Sequence, residues 1–289
     1  MDLSPLKALD LSAPGSLIMV IGAPDSGKST LARLIYQELV REYACVAYLD
    51  GDPGQSILGP PTTLTLALNH PGDRSFPPNG RLWGGFLGAT SPRGHMLPML
   101  VQVWRLVQAA RQHGAQIVIY DTCGLIHPKE GGVALKLAEI ELLRPSMLVA
   151  LQSWDELETL LQPAQAFVSR IVRIPPSPHI RPRSPEQRRS YRAEKFKEYF
   201  HNARSMALSD LASPFFVSRS ALQPFQLVSL EDDKGFVLAL GIVQHHAGAE
   251  GITLFTPLGD RKKSQCRILR AGDLALDPST FQERRIVLE

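Results

Sequence analysis

Short apolar runs and amphipathic stretches alternate along the first half of the chain. Residues 16–22 (SLIMVIG), 45–50 (CVAYLD), 116–121 (QIVIYD) and 146–152 (SMLVALQ) are apolar runs, and helical spacing of apolar positions fills about 28–43, 96–113 and 131–143. Such alternation predicts βαβ units around a parallel sheet flanked by helices. Ligands of such sheets gather at the carboxyl ends of the strands. Residues 51–95 are rich in Gly and Pro (GDPGQSILGPPTT, HPGDRSFPPNGRLWGG) and read as functional loops with room for one short strand or helix. A second break, RIPPSPHIRPRSP at 173–185, precedes a charged segment. From about 215 the runs FQLVSL, GFVLALGIVQ, GITLFTP and CRILRAG, divided by turn residues, predict a small β-rich portion. The expected division is a phosphate-loop kinase domain over 1–212, with a lid at about 176–204, and a small β-rich domain over 213–289.

Composition narrows the class only slightly. The chain has 289 residues, 44% hydrophobic, which is enough for a sizeable core, and its net charge of +3 neither calls for nor excludes a nucleic-acid partner. Cys45, Cys123 and Cys266 are far apart, so no disulfide framework or thiolate zinc site is indicated. The start, MDLSPLKALD, has no apolar leader core, and no apolar run approaches the roughly 18 residues of a membrane span. A cytoplasmic chain without membrane contact is expected.

Gly22-Ala23-Pro24-Asp25-Ser26-Gly27-Lys28-Ser29, followed by Thr30, fits GxxxxGK[ST] between a strand and a helix. Backbone amides and the helix N-terminus supply positive potential for a β-phosphate. Lys28 is suited to the β- and γ-phosphates, and the Ser29 hydroxyl to Mg²⁺. QIVIYD ends in Asp121, the carboxylate expected to hold a magnesium-bound water from a neighbouring strand. The following DTCG imitates the DxxG of regulatory GTPases, yet no Asn-Lys-x-Asp occurs downstream, so adenine or weak base selectivity is expected. In YLDGDPGQS, Asp50 and Asp52 are two residues apart at the end of a strand, a spacing that sends both side chains to one side. One carboxylate is then available as proton acceptor and the other as organiser of Mg²⁺.

The ordered set GAPDSGKST, YLDGDPGQSILGPP, GATSP, DTCGLI and RRSYR, over about residues 16–204, resembles the polynucleotide 5′-hydroxyl kinase family. That family includes the kinase subunit of eukaryotic pre-mRNA cleavage machinery and the ribosomal-RNA processing kinase. The resemblance implies a general base and metal organiser among Asp50 and Asp52, with Asp52 favoured as base, and a DxDxGQ element completed by Gln55. It implies a clasp over nucleotide and substrate at Thr90-Ser91-Pro92, a T-x-G segment at Thr122 and Gly124, and a lid pair at Arg188 and Arg192. Where eukaryotic relatives often carry a base-stacking tryptophan, this chain has Leu125; stacking of that kind contributes on the order of 1–3 kcal/mol per base, and Trp83 and His127 are the substitutes at hand. The first strand begins about 16 residues in, which implies a compact, stand-alone form with no obligatory protein partner.

The lid segment, residues 181–204, holds eight Lys or Arg against three Glu, net +5, so the rest of the chain carries −2. Arg188, Arg192 and Lys195 fall on one helical face, and Phe196, Tyr199 and Phe200 are expected to anchor another. The reading is therefore ATP- and Mg²⁺-dependent transfer of a γ-phosphoryl group to the 5′-OH end of RNA or DNA. Two alternatives stay open, a regulatory or assembly NTPase and a small-molecule kinase.

Overall fold

The computed structural model describes residues 15–211, 215–217, 222–245 and 251–286. The beginning of the chain, read above for a leader, lies outside these residues. The first body runs β1 (Ser16–Gly22), α1 (Lys28–Leu39), β2 (Val46–Gly51), β3 (Thr63–Leu68), β4 (Leu82–Phe86), α2 (Met96–Gln112), β5 (Ile117–Thr122), α3 (Gly132–Leu143), β6 (Met147–Leu151), α4 (Glu158–Ala164) and β7 (Ile171–Ile174).

These strands form one sheet in the order β4-β3-β2-β5-β1-β6-β7. The pairs from β2 to β7 are parallel, whereas β3 and β4 extend the sheet in antiparallel fashion. Every residue of β1, β2, β5 and β6 is buried. The two-residue period of a strand divides them between two cores. Leu17, Met19 and Ile21 face one with Val103, Leu106 and Leu135, while Ile18 and Val20 face the other with Leu31 and Ile35.

The segment 51–95 departs from expectation. Two strands, β3 and β4, stand where loops with one short strand or helix are expected, because Thr63–Leu68 (TLTLAL) is buried along its whole length on β2 and then accepts β4. The surrounding Gly and Pro residues mask this apolar run.

The second body follows the lid helix. α5 (Pro185–Tyr199) starts at a capping box: the Ser184 hydroxyl accepts from the Gln187 amide at 3.2 Å, and the Gln187 side chain accepts from the Ser184 amide at 2.8 Å. Then come β8 (Arg204–Ala207), β9 (Phe215–Val217), β10 (Gln226–Glu231), β11 (Val237–His245), β12 (Ile252–Thr256), α6 (Asp260–Lys263), β13 (Ile268–Leu276) and β14 (Glu283–Arg285). The sheet order is β14-β13-β10-β11-β12-β8, with β9 parallel to β13. Because β8 pairs with β12, the second sheet draws its first strand from residues before 212.

A third cluster welds the lid to both bodies. Phe196 and Phe200 of α5 are buried with Phe86 of β4 and with Leu227, Leu240, Ile242 and Leu276 of the second sheet. The Leu240 amide donates to the Tyr199 hydroxyl at 2.9 Å, and the Asp273 amide donates to the Gly88 carbonyl at 2.9 Å. Among the described residues, no helix is long and apolar enough to cross a membrane. Phe196→Ala removes a fully buried ring at the junction of three elements and is expected to lower stability by about 3–5 kcal/mol, read from urea unfolding; a loss below about 1 kcal/mol would show that this junction does not support the fold.

Candidate active site at the phosphate loop

The phosphate loop spans the end of β1 and the start of α1. Gly27 caps α1 at φ +92°, a backbone state open to glycine at little cost. A Cβ at Gly124 would lie 2.7 Å from the Pro24 nitrogen, so the loop after β5 presses on the phosphate loop where only glycine fits. A cavity of about 700 Å³ opens beside them, of a size suited to a nucleotide-scale ligand.

Of the expected nucleotide-binding residues, Pro24, Asp25, Gly27, Lys28, Ser29 and Thr30 line this cavity. Gly22, Ala23 and Ser26 shape the loop from behind; a Cβ at Gly22 would meet the Ser26 hydroxyl at 2.7 Å. Lys28 is buried, and its ammonium donates to the Ala23 carbonyl at 2.6 Å. Burial pushes the Lys28 pKa down, and the charges of Asp121 and Asp52 work against that shift.

The two carboxylates after β2 separate in space. Asp50 is 1% exposed, and its Oδ2 accepts from the Ser56 hydroxyl at 2.8 Å and the Ile57 and Leu58 amides at 2.7 and 2.9 Å. Burial raises its pKa to about 6 against those bonds. Asp50 does not line the cavity: its Oδ2 closes the loop 50–58, and its Oδ1 accepts from the Asp52 amide at 3.4 Å. Asp52 does line the cavity. It stands beyond the end of β2 in a turn, where its Oδ1 accepts from the Gly54 and Gln55 amides at 2.9 and 3.0 Å.

Asp121 sits at the end of β5, 1% exposed, in register with Val20 of β1 and Asp50 of β2. Its Oδ2 accepts from the Tyr48 hydroxyl at 3.0 Å, while its buried Oδ1 has no partner in bonding geometry. Burial and then the nearby Asp50 raise the Asp121 pKa to about 7, although Ser29, Lys28 and Tyr48 favour the charged form. Asp121 does not itself line the cavity, but it stands beside the Ser29 hydroxyl, which does; a carboxylate and a hydroxyl so placed are a donor set that fits Mg²⁺, which takes few protein oxygens and keeps water and phosphate ligands. Among the described residues no cluster of three or more His, Cys, Asp or Glu offers an all-protein metal cage.

The expected clasp and T-x-G residues divide in the same way. Thr90, Ser91, Gln55 and Gly124 line the cavity. Thr122 does not: it is fully buried and its hydroxyl donates to the Val20 carbonyl at 2.9 Å, which ties β5 to β1. Leu125 and His127 line the cavity, whereas Trp83 is buried between Arg81 and His113 in the first body.

The lid lies on the phosphate loop. Arg188 and Arg192 both line the cavity, whereas Lys195 pairs outward with Glu198. Arg188 donates to Asp25 Oδ2 at 2.6 Å, the Arg183 amide donates to the same oxygen at 3.0 Å, and Arg183 Nη1 reaches Gln55 Oε1 at 2.6 Å. Against the cost of burial, these bonds hold the Asp25 carboxyl below its ordinary pKa. The Arg188 Nε is buried without a partner, a donor available to an anion.

Three contributors were not legible as site residues. Arg183 lay in the Pro-rich break, where RPR is the only signal. Tyr191, whose hydroxyl donates to the Ser56 carbonyl at 2.7 Å, lay within the charge run. Behind the T-x-G loop, the fully buried Lys136 donates to Glu139 at 2.8 Å and to Cys123 Sγ at 3.4 Å, and Tyr120 donates to Glu139 at 2.9 Å. In sequence, GGVALKLAEIELL reads as an ordinary helix.

Residues 22–202 match the model of the family described as mRNA cleavage and polyadenylation factor CLP1 P-loop. A polyribonucleotide 5′-hydroxyl-kinase of Pyrococcus furiosus is 34% identical over 203 residues, 70% of this chain and 55% of that protein. One of Methanocaldococcus jannaschii is 33% identical over 187 residues, 65% of this chain and 51% of that one. The chain thus spans about half the length of these curated relatives. A solved complex of wild-type Clp1p with Pcf11p superposes with a TM-score of 0.69 at 12% identity, covering 94% of this chain and 77% of that one, which shows the fold.

A carboxyl whose folded pKa is raised binds its proton more tightly in the native chain, so the stability this confers is present at low pH and fades as pH climbs from about 4 through about 7. Asp121→Asn removes that loss. In urea unfolding without nucleotide or Mg²⁺, the variant is expected to gain on the parent by on the order of 2–3 kcal/mol between pH 5 and pH 8; a pH-independent difference would mean that the Asp121 charge is compensated in the fold.

Proposed function

The chain belongs to the family of the mRNA cleavage and polyadenylation factor CLP1 P-loop, and on that premise we infer that it is an ATP-dependent polynucleotide 5′-hydroxyl kinase acting on RNA ends. One observation carries the reading: the phosphate loop, a cavity-facing carboxylate outside the loop, and two lid arginines line a single cavity. The carboxylate gives the site a proton acceptor for an attacking alcohol, which a bare NTPase switch, whose nucleophile is water, does not require. The names of the archaeal relatives support RNA as the polymer.

Phosphoryl transfer asks the protein for position and charge more than for covalent chemistry. The loop amides and Lys28 hold the β- and γ-phosphates. Asp52 accepts the proton of the attacking 5′-hydroxyl; its Oδ1 is fixed by the Gly54 and Gln55 amides, which orients the carboxylate toward the cavity. Arg188 and Arg192 supply positive charge where the transferring group carries its negative charge. Mg²⁺, which Ser29 and Asp121 would hold, neutralises phosphate oxygens when bound. The Arg183 segment and Ile180, whose Cδ1 would come within 3.0 Å of a Cβ at Gly27, cover the loop and exclude water.

The test is incubation with γ-labelled ATP and matched RNA and DNA oligonucleotides carrying 5′-OH or 5′-phosphate ends. Label is expected on the 5′-OH RNA and on no 5′-phosphate end. Lys28→Ala and Asp52→Asn are each expected to reduce transfer by at least 100-fold with the far-UV circular dichroism unchanged. Equal labelling of a free nucleoside would turn the reading to a small-molecule kinase, and hydrolysis indifferent to oligonucleotide would turn it to a switch.

A further inference from the structure

Arg192 reaches the cavity already paired. Its Nε donates to both carboxylate oxygens of Glu283, at 2.9 and 2.8 Å, and its Nη2 adds a further bond to Oε1. The two side chains are 11% and 13% exposed, so this is a largely buried, forked pair rather than a surface contact. Glu283 opens β14, in register with Leu276 at the end of β13, and the carboxylate therefore comes from the second sheet, 91 residues beyond the arginine.

A guanidinium offers five N–H donors in a fixed plane. Glu283 takes the Nε–H and one Nη2–H, which leaves the two on Nη1 and the other on Nη2. The carboxylate also offsets the cost of keeping an arginine almost out of water. Arg188 differs on both counts: its partner Asp25 belongs to the phosphate loop, and its Nε stays unpartnered.

Building on the kinase reading, we propose that Glu283 is a positioning residue for phosphoryl transfer, presetting the Arg192 guanidinium so that the second sheet takes part in the site. The carboxylate fixes the arginine's rotamer before substrate arrives, and the remaining donors meet the transferring group without reorganisation at the moment of reaction. The second sheet is then a part of the catalytic apparatus, joined to it through one side chain.

The experiment compares wild type, Arg192→Ala, Glu283→Gln, Glu283→Asp and the Arg192→Ala/Glu283→Gln double variant for kcat and KM on a 5′-OH RNA oligonucleotide, with thermal unfolding of each. Outer partners that orient metal-ligating side chains contribute roughly 10- to 100-fold, and the lower end of that scale is taken for a carboxylate that orients an arginine. Glu283→Gln is expected to lower kcat about tenfold with KM for ATP unchanged, Glu283→Asp to recover most of the loss, and the double variant to be no slower than Arg192→Ala alone. A wild-type or raised kcat in Glu283→Gln beside a crippled Arg192→Ala would overturn the proposal, as would multiplying effects in the double variant. A readout free of the kinase reading is the Arg192 Nε–H resonance in ¹⁵N-labelled protein, expected to be shifted downfield and slow to exchange, and to lose both features in Glu283→Gln; a fast-exchanging resonance in wild type overturns the pairing itself. Should wild type label no oligonucleotide, the kinase reading falls separately, and the same variants are read by ATP hydrolysis, where equal rates in wild type and Glu283→Gln overturn the positioning role.

Discussion

Parallel pairing in register is the constraint from which the rest of the site follows. Val20 of β1 and Asp50 of β2 both align with Asp121 of β5, so the phosphate loop, which begins two residues after Val20, opens at the edge where two carboxylates end their strands. Both acids are 1% exposed, and burial lifts both pKa values. Two buried like charges on adjacent strands are tolerable only if each is answered. Asp50 is answered within the protein, by one hydroxyl and two amides on its Oδ2. Asp121 is answered by the Tyr48 hydroxyl, with the Ser29 hydroxyl and the Lys28 ammonium also favouring its charged form.

The parallel sheet was legible because its strands are apolar on both faces and its helices keep their period. Ser16–Gly22 falls where SLIMVIG ends, and α2 and α3 fall within one residue of their patterns. What escaped was whatever depends on partners remote in sequence. TLTLAL is a plain apolar hexamer, yet the Gly and Pro residues around it hid a strand that exists because β2 offers an edge. α1 stops at Leu39 rather than at 43, the chain turning at Val40 with amide bonds of a closing turn. Lys136 and Glu139 are a helical pair three apart, indistinguishable in sequence from a solvated ion pair; only the fold takes both to 0% exposure behind Cys123.

The lid shows the same limit in charge. Composition found the one basic segment and helical spacing placed Arg188 and Arg192 on a common face, but neither could reveal that each arginine meets a carboxylate from a different body. Asp25 lies 163 residues before Arg188, and Glu283 lies 91 after Arg192. The buried aromatic end of α5 explains why both pairings are possible at once. Phe196 and Phe200 fix the helix between the edge strand β4 and the second sheet, so its arginines are presented from an anchored element, and the Pro-rich stretch before Ser184 is held in turn by the contacts of Arg183 to Asp25 and Gln55.

The separation of Asp50 from Asp52 turns on where a strand ends. Two-residue spacing places side chains together only while the backbone stays extended, and β2 ends at Gly51, where a Cβ would lie 2.3 Å from the Tyr120 ring. Past that squeeze the chain turns, Asp52 leaves the pleat, and its Oδ1 is captured by the amides of the turn it begins. One aspartate is therefore built into the sheet and the other into a loop facing the cavity. Burial separates the two acids because glycine, standing between them, is the residue that lets the chain leave the sheet at that point.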